Sequence, residues 1–429
     1  MFVKSACAAA VAATIALCMA VGARASVPGV GPLLAALHAA PGIRSGRLRS
    51  KGAPAPRYTI HNIGYPRGYG SSTPAGFNNT GQIFGLVNIP LSGGRGLTQD
   101  CRLWTGSSFE RLPLPADGYC VATAINDANA ASGEYEVVGG AYEKFSEGSR
   151  AFAVIAGPAG FKRTTIYYAN SPSTMIGVNA SETSVAEAEF SRDTLADYRG
   201  LLYFTTTGAG HALAPLQAPA APNAPPIHNL LPTYEFACAF GGCAINGQNE
   251  VLGYDYLTLH NSEATFATYT VGESSSLRHL PILISLFYGN VGIAPVAFND
   301  LGQVVYLDSS VNEPAVFAIR TGVQTILPVV PADCPNGTGV PLSMNDYGEV
   351  LGVVENCTTD AEYWTWDPLH GTQFLNAQLP SSAYTIYPLG INDRGQILVK
   401  LVDSANVDFW GTLDPVVSPA RAAREKVRL

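Results

Sequence analysis

Short runs in which apolar and polar residues alternate recur along the whole chain, as in Gln303-Val304-Val305-Tyr306. Clusters of Gly, Asn, Asp and Ser separate them. A two-residue period bounded by turn residues predicts β-strands. No convincing amphipathic helix interrupts the series. One step repeats through it, an apolar residue followed by Asn at Asn78, Asn126, Asn179, Asn246, Asn299, Asn345 and Asn392. The residue before each Asn is Phe77, Ile125, Val178, Ile245, Phe298, Met344 or Ile391. The one before that is always small: Gly76, Ala124, Gly177, Ala244, Ala297, Ser343 or Gly390. A small residue at a fixed place in every copy predicts a crowded position, and the expected source of crowding is a central channel on which inner strands converge.

The Asn suits a turn, because its side chain can bond the backbone two residues on and it tolerates the left-handed region. Gly follows three residues later as Gly81, Gly302, Gly348 and Gly395. Asn249 takes that place in the fourth copy and Glu182 in the third. An insertion displaces the Gly of the second copy to Gly133. First and last Asn are six steps apart, so the mean period is about 52 residues, near the length of a propeller blade. Each copy continues with a third strand, such as Arg102 to Thr105, Ala151 to Val154 or Tyr363 to Trp366. A fourth follows, such as Phe109 to Leu114 or Val323 to Leu327. The pattern predicts an all-β chain, a seven-bladed β-propeller of four-stranded antiparallel blades. The last copy has no clear fourth strand after Phe409-Trp410. Tyr58 to Gly64 is expected to supply it and close the ring, which removes exposed edges.

The words Asn299-Asp300-Leu301-Gly302-Gln303 and Asn392-Asp393-Arg394-Gly395-Gln396 resemble those of the bacterial extracellular HAF repeat family, named for a His-Ala-Phe step. The resemblance runs over about Tyr58 to Pro415. Here the naming step survives only as Arg150-Ala151-Phe152. The family implies secretion and propeller-like repeats, and it carries no general enzymatic activity.

The first residues read as an export signal. Lys4 precedes an apolar run from Ala6 to Val21, and Ala23-Arg24-Ala25 fits a cleavage site before Ser26. A membrane anchor is the alternative, but the run is short for a span. A lipoprotein reading through Cys18 would want a small residue where Leu17 stands. The expected division is a signal peptide over 1–25, a flexible segment over 26–56, the propeller over 57–415 and a charged tail over 416–429. The expected location is periplasmic or extracellular. Cleavage removes two bases and no acid, taking 25 bases and 33 acids to 23 against 33. That net of −10 argues against a general nucleic-acid binder.

Six cysteines remain beyond the leader: Cys101, Cys120, Cys238, Cys243, Cys334 and Cys357. An even number in an exported chain predicts disulfides. Strand order places all six on long exposed loops of one face, which predicts Cys101–Cys120, Cys238–Cys243 and Cys334–Cys357.

No His-Glu-x-x-His step, phosphate loop or Gly-x-Ser-x-Gly elbow appears. The seven His residues are scattered. Asp127, Asp300, Asp346 and Asp393 beside the turn Asn residues invite a calcium reading. A calcium loop needs several acids in one copy, however, and each turn offers mainly one. A second acidic series lies at the far ends of the second strands: Glu143, Asp255, Asp308, Glu355 and Asp403, with Asn88 equivalent. These form a candidate ligand face for a cation or a basic partner. The basic ends, with Arg44, Arg47, Arg49 and Lys51 before the repeats, are expected to be loose or to tether the chain to anionic polymers. Ala214 to Pro226 reads as an extended loop. The favoured reading is a non-catalytic, monomeric binding scaffold for a protein or polysaccharide, with no cofactor and no membrane span. The alternative is a secreted hydrolase or lyase acting on polysaccharide.

Overall fold

The computed structural model describes residues 43–44 and most of 57–416; within that range the longest stretch outside the described residues is 213–244. The described residues are all-β apart from one 3-10 turn, Leu375–Ala377. Among the described residues the strands form seven antiparallel sheets, six of them each from consecutive chain. The first holds Ser71–Phe77, Ile83–Pro90, Leu97–Trp104 and Phe109–Arg111. The second holds Tyr119–Ile125, Tyr135–Tyr142, Ser149–Gly157 and Gly160–Ile166. The third holds Ser173–Val178, Ser184–Arg192, Ala196–Phe204 and Gly210–Ala212. The fourth shows three strands, Glu250–Tyr256, Glu263–Thr270 and Arg278–Ser285. The fifth runs Ala297–Phe298, Gln303–Asp308, Glu313–Ala318 and Val323–Ile326. The sixth runs Thr338–Met344, Val350–Glu355, Glu362–Asp367 and Gly371–Phe374.

The seventh sheet joins both ends of the repeat region. Its strands Thr385–Ile391, Ile397–Val402 and Asp408–Pro415 are completed by Tyr58–Gly64, with Tyr58 opposite Pro415 and Gly64 opposite Trp410. The edge of Asp408–Pro415 is therefore covered by chain that precedes the first sheet. A further two-residue strand, Ile43–Arg44, pairs with Thr385 and Ile386 on the opposite edge. The free edge of an innermost strand offers unpaired backbone groups, and a passing segment can satisfy them.

The core lies between sheets. One apolar cluster joins the sixth and seventh sheets with Ile83 of the first, and a second joins the first and second. Others join the fifth with the sixth and the second with the third. Trp410 is fully buried and reaches from the seventh sheet to Gly85 of the first, where an added Cβ would stand 2.5 Å from its ring.

In the first copy the small residue, Gly76, is crowded from within its own sheet. In five sheets the first strand carries a register shift at the same place, between Pro74 and Gly76, Ala122 and Ala124, Met175 and Gly177, Pro341 and Ser343, and Pro388 and Gly390. The small residue follows that bulge. At Gly76 a Cβ would lie 2.4 Å from the ring of Phe84, its partner on the next strand. The crowding there comes from within the sheet.

Candidate functional site

Six of the repeated Asn residues sit at the turn after a first strand, Asn246 sits at the equivalent turn before Glu250–Tyr256, and all seven are buried. In six copies the backbone turn is the same. The Asn carbonyl accepts from the amide three residues on, and the Asn amide donates to the carbonyl four residues on, as for Asn345 with Gly348 and Glu349. The residue three after the Asn has positive φ at Gly81, Gly302, Gly348 and Gly395, and also at Glu182 (57°) and Asn249 (60°). In the second copy the inserted turn runs from Asn129 to Gly133, and Asn126 pairs with Glu136 instead.

The side chains do what the sequence pattern did not indicate. Asn78 donates its Nδ2 to the carbonyl oxygen of Asn126 (3.0 Å), Asn126 to Asn179 (3.0 Å) and Asn179 to Asn246 (3.0 Å). Asn246 donates to Asn299 (3.4 Å), Asn299 to Asn345 (3.1 Å) and Asn345 to Asn392 (2.9 Å). Asn392 returns to Asn78 (3.3 Å), so the seven bonds close on themselves. Meanwhile Oδ1 accepts local backbone amides, as at Asn345 from Tyr347 and Glu349. In four copies the residue four on also accepts from Nδ2, through Glu250, Gln303, Glu349 and Gln396. Only Asn offers this donor and acceptor pair on so short a stem, which explains its presence in every copy.

A second, incomplete ring lies one residue on. Gly247 donates its amide to Asp300 Oδ1, Asp300 to Asp346 (2.8 Å), Asp346 to Asp393 (2.7 Å), Asp393 to Asn79 (2.8 Å) and Asn79 to Asp127 (2.6 Å). The Asn79 amide also bridges the carboxylates of Asp127 (2.5 Å) and Asp393 (2.7 Å). Ala180 and Gly247 have no side-chain acceptor at the equivalent places, which is where the ring breaks. Burial, and then the neighbouring charge of Asp393, push the Asp346 carboxyl up to about 7. Burial raises Asp393 as well. Among the described residues no group of three or more His, Cys, Asp and Glu side chains is arranged to hold a metal. The calcium candidates latch the turns through backbone amides.

Among the described residues, the far ends of the second strands make local contacts. Asp308 accepts from Gln324 (2.9 Å), and Asp403 caps its own turn by accepting from Ala405 and Val407. Glu355 ends its strand opposite Thr338, and burial raises its carboxyl. Asn88 donates to Ser71 (2.7 Å). Asp255 lies in Glu250–Tyr256, but its side chain, like all of Glu143, falls outside the described residues.

Cys101 and Cys120 are joined, with Cα atoms 5.8 Å apart. Neither lies on an exposed loop. Cys101 is within Leu97–Trp104 and Cys120 is within the first strand of the second sheet, and both are buried. The bridge is a core contact between two sheets. Cys334 is also disulfide-bonded, while Cys238, Cys243 and Cys357 lie outside the described residues.

Glu136, at the place held by Gln or Glu in five other copies and by Thr183 in the third, is buried with Oε2 unpartnered. Burial, and then the charge of Glu182, raise its carboxyl to about 7.

No family model matches the chain, and no curated protein does. Among solved structures it is similar to the β-propeller domain of the Trilobed protease from Pyrococcus furiosus, with 5% identity, a TM-score of 0.46 and coverage of 81% of this chain and 96% of that one. It is also similar to the acylaminoacyl peptidase of Pyrococcus horikoshii (7% identity, TM-score 0.48, 86% of this chain and 54% of that one). A puromycin-hydrolyzing peptidase of Mycobacterium tuberculosis gives 11% identity, a TM-score of 0.48, and 85% and 56% coverage. The chain thus spans about half the length of the two peptidases. Among its described residues no helix is long and apolar enough to cross a membrane.

Proposed function

We propose that this chain is an exported seven-bladed β-propeller of the HAF repeat kind, acting outside the cytoplasm as a non-catalytic binding scaffold for a protein or polysaccharide. The closed cycle of seven Asn side chains carries the reading. Seven consecutive sheets, each passing one bond to the next and the last returning to the first, support an arrangement of blades about one axis. The most regular residues of the sequence are thereby committed to holding the ring. Ligand contacts are left to residues that differ from blade to blade, which suits a scaffold with variable faces.

A thermal-shift screen of the chain from Ser26 against cations and oligosaccharides tests this, because a ligand of the native state raises the melting temperature. Stabilisation without product formation supports the scaffold. Turnover on a glycan panel, lost on Asp308→Asn or Glu355→Gln, would establish the secreted hydrolase or lyase instead.

A further inference from the structure

Several departures from the repeat meet at one seam. Opposite Val87, Ala141 and Val354 in the second strands, the third strands of the first, second and sixth sheets carry charged residues, Asp100, Arg150 and Glu362. At the same register of the seventh sheet, opposite Leu401, stands Phe409. The hairpin between third and fourth strands departs too. The first sheet opposes Trp104 with Phe109, whereas the pairs at the same register elsewhere include Val154 with Thr164, Phe317 with Gln324 and Trp366 with Thr372.

These departures meet between the seventh and first sheets. Tyr65 lies edge-on to Phe409 with ring centroids 5.4 Å apart, and Trp104 packs on Phe109 at 4.9 Å. Between them is an open cleft of about 520 Å³, whose lining also includes Asn62, Ser107 and Ser108. Small-ligand sites span roughly 300–1,000 Å³. Tyr65 is 41% exposed, and Trp104, Phe109 and Phe409 are half-buried. The Asn62 amide is held in place by donating to Tyr384 Oη (2.8 Å) and accepting from the Gly64 amide (2.8 Å), and it retains a second N–H.

We infer that this cleft is a binding site for a neutral oligosaccharide. The inference rests on the scaffold reading and names its ligand. Among the described residues no acidic or basic side chain lines the cleft, so a charged ligand would lose its hydration with no counter-charge from them to replace it. Aromatic rings offer apolar faces to the C–H surfaces of sugar rings. Short amides and hydroxyls on both walls suit a ligand that carries hydroxyl groups around its whole rim. An extended peptide carries its constant polar groups along one backbone only.

The test is titration of the chain from Ser26 with neutral glucan, xylan and mannan hexasaccharides, read by tryptophan fluorescence and calorimetry. An anionic oligogalacturonate and a proline-rich decapeptide serve as comparisons. One neutral sugar is expected to bind, with affinity falling about tenfold or more in both Trp104→Ala and Tyr65→Ala. Tyr65→Ala removes an exposed ring and keeps the test valid should Trp104→Ala fail to fold. Binding unchanged in Tyr65→Ala, or binding of only the anionic sugar or the peptide, overturns the site. So does the absence of any neutral-sugar binding. If some ligand binds and Tyr65→Ala leaves it unaffected, the scaffold reading stands and the cleft falls. If nothing binds in either screen, both fall.

Discussion

Asn392 donates its side-chain amide to the backbone carbonyl of Asn78, a residue 314 positions earlier, across 3.3 Å. The same side chain donates to Gln396 and accepts from the amides of Arg394 and Gln396. One buried residue therefore shapes its own turn and joins the last sheet to the first. Asn392→Ala leaves several buried groups without partners, each costing about 1–3 kcal/mol. We expect a loss of about 3 kcal/mol in urea unfolding. Asn392→Asp should not rescue it, because a carboxylate cannot donate to the Asn78 carbonyl. Rescue by Asp would show that the inter-sheet bond contributes little.

The axial carboxylates predict a pH dependence of definite sign. Asp346 and Glu136 are both raised to about 7, from 3.8 and 4.5. The folded state thus holds protons that the unfolded chain releases, so stability is greatest in acid. It falls as the pH rises from about 4 through about 7. Asp346→Asn keeps an acceptor for the Asp300 amide and removes the charge. Melting curves from pH 5 to pH 9 should show the variant close to the parent in acid and more stable above neutrality. An unchanged slope would remove Asp346 as its source.

Glu182 holds a left-handed conformation, at φ 57°, where four other copies use Gly and one uses Asn249. A non-glycine residue there is strained by about 1–2 kcal/mol. Glu182→Gly should stabilise the protein by about 1 kcal/mol despite the added freedom of the unfolded chain. It should also lower the raised carboxyl of Glu136, since the charge of Glu182 contributes to that shift. Chemical denaturation at pH 7, paired with a pH titration, measures both effects.

The Cys101–Cys120 bridge closes a short span, with a sequence separation of 19. Loops of this size correspond to roughly 3 kcal/mol of stabilisation. Cys120→Ala should lower stability by about that amount. Because both sulfurs are in the core, mild reductant should act on the native protein slowly. Rapid labelling of native Cys101 after brief reduction would contradict the buried placement.

Local chemistry made much of this architecture legible in the sequence. The turn Asn residues, the left-handed position after them and the closing strand Tyr58–Gly64 all carry short-range signatures. The Asn side chains' outward bonds do not, because each partner is a backbone carbonyl in another repeat. Gly76 was readable as a crowded position, but the crowding atom belongs to Phe84 across a bulge, and bulges leave no fixed sequence mark. Cys101 sits in a strand because Leu97–Trp104 begins earlier than its apolar core, Arg102 to Thr105, indicates. The aromatic cleft unites Tyr65, Trp104 and Phe409, which no spacing rule connects.

An experimental structure of the chain from Ser26 tests the ring most directly. The account predicts seven consecutive sheets about one axis, with Tyr58–Gly64 paired to Asp408–Pro415 and the Asn392 amide within hydrogen-bonding distance of the Asn78 carbonyl. A different number of sheets, or a gap between Asn392 and Asn78, would contradict it.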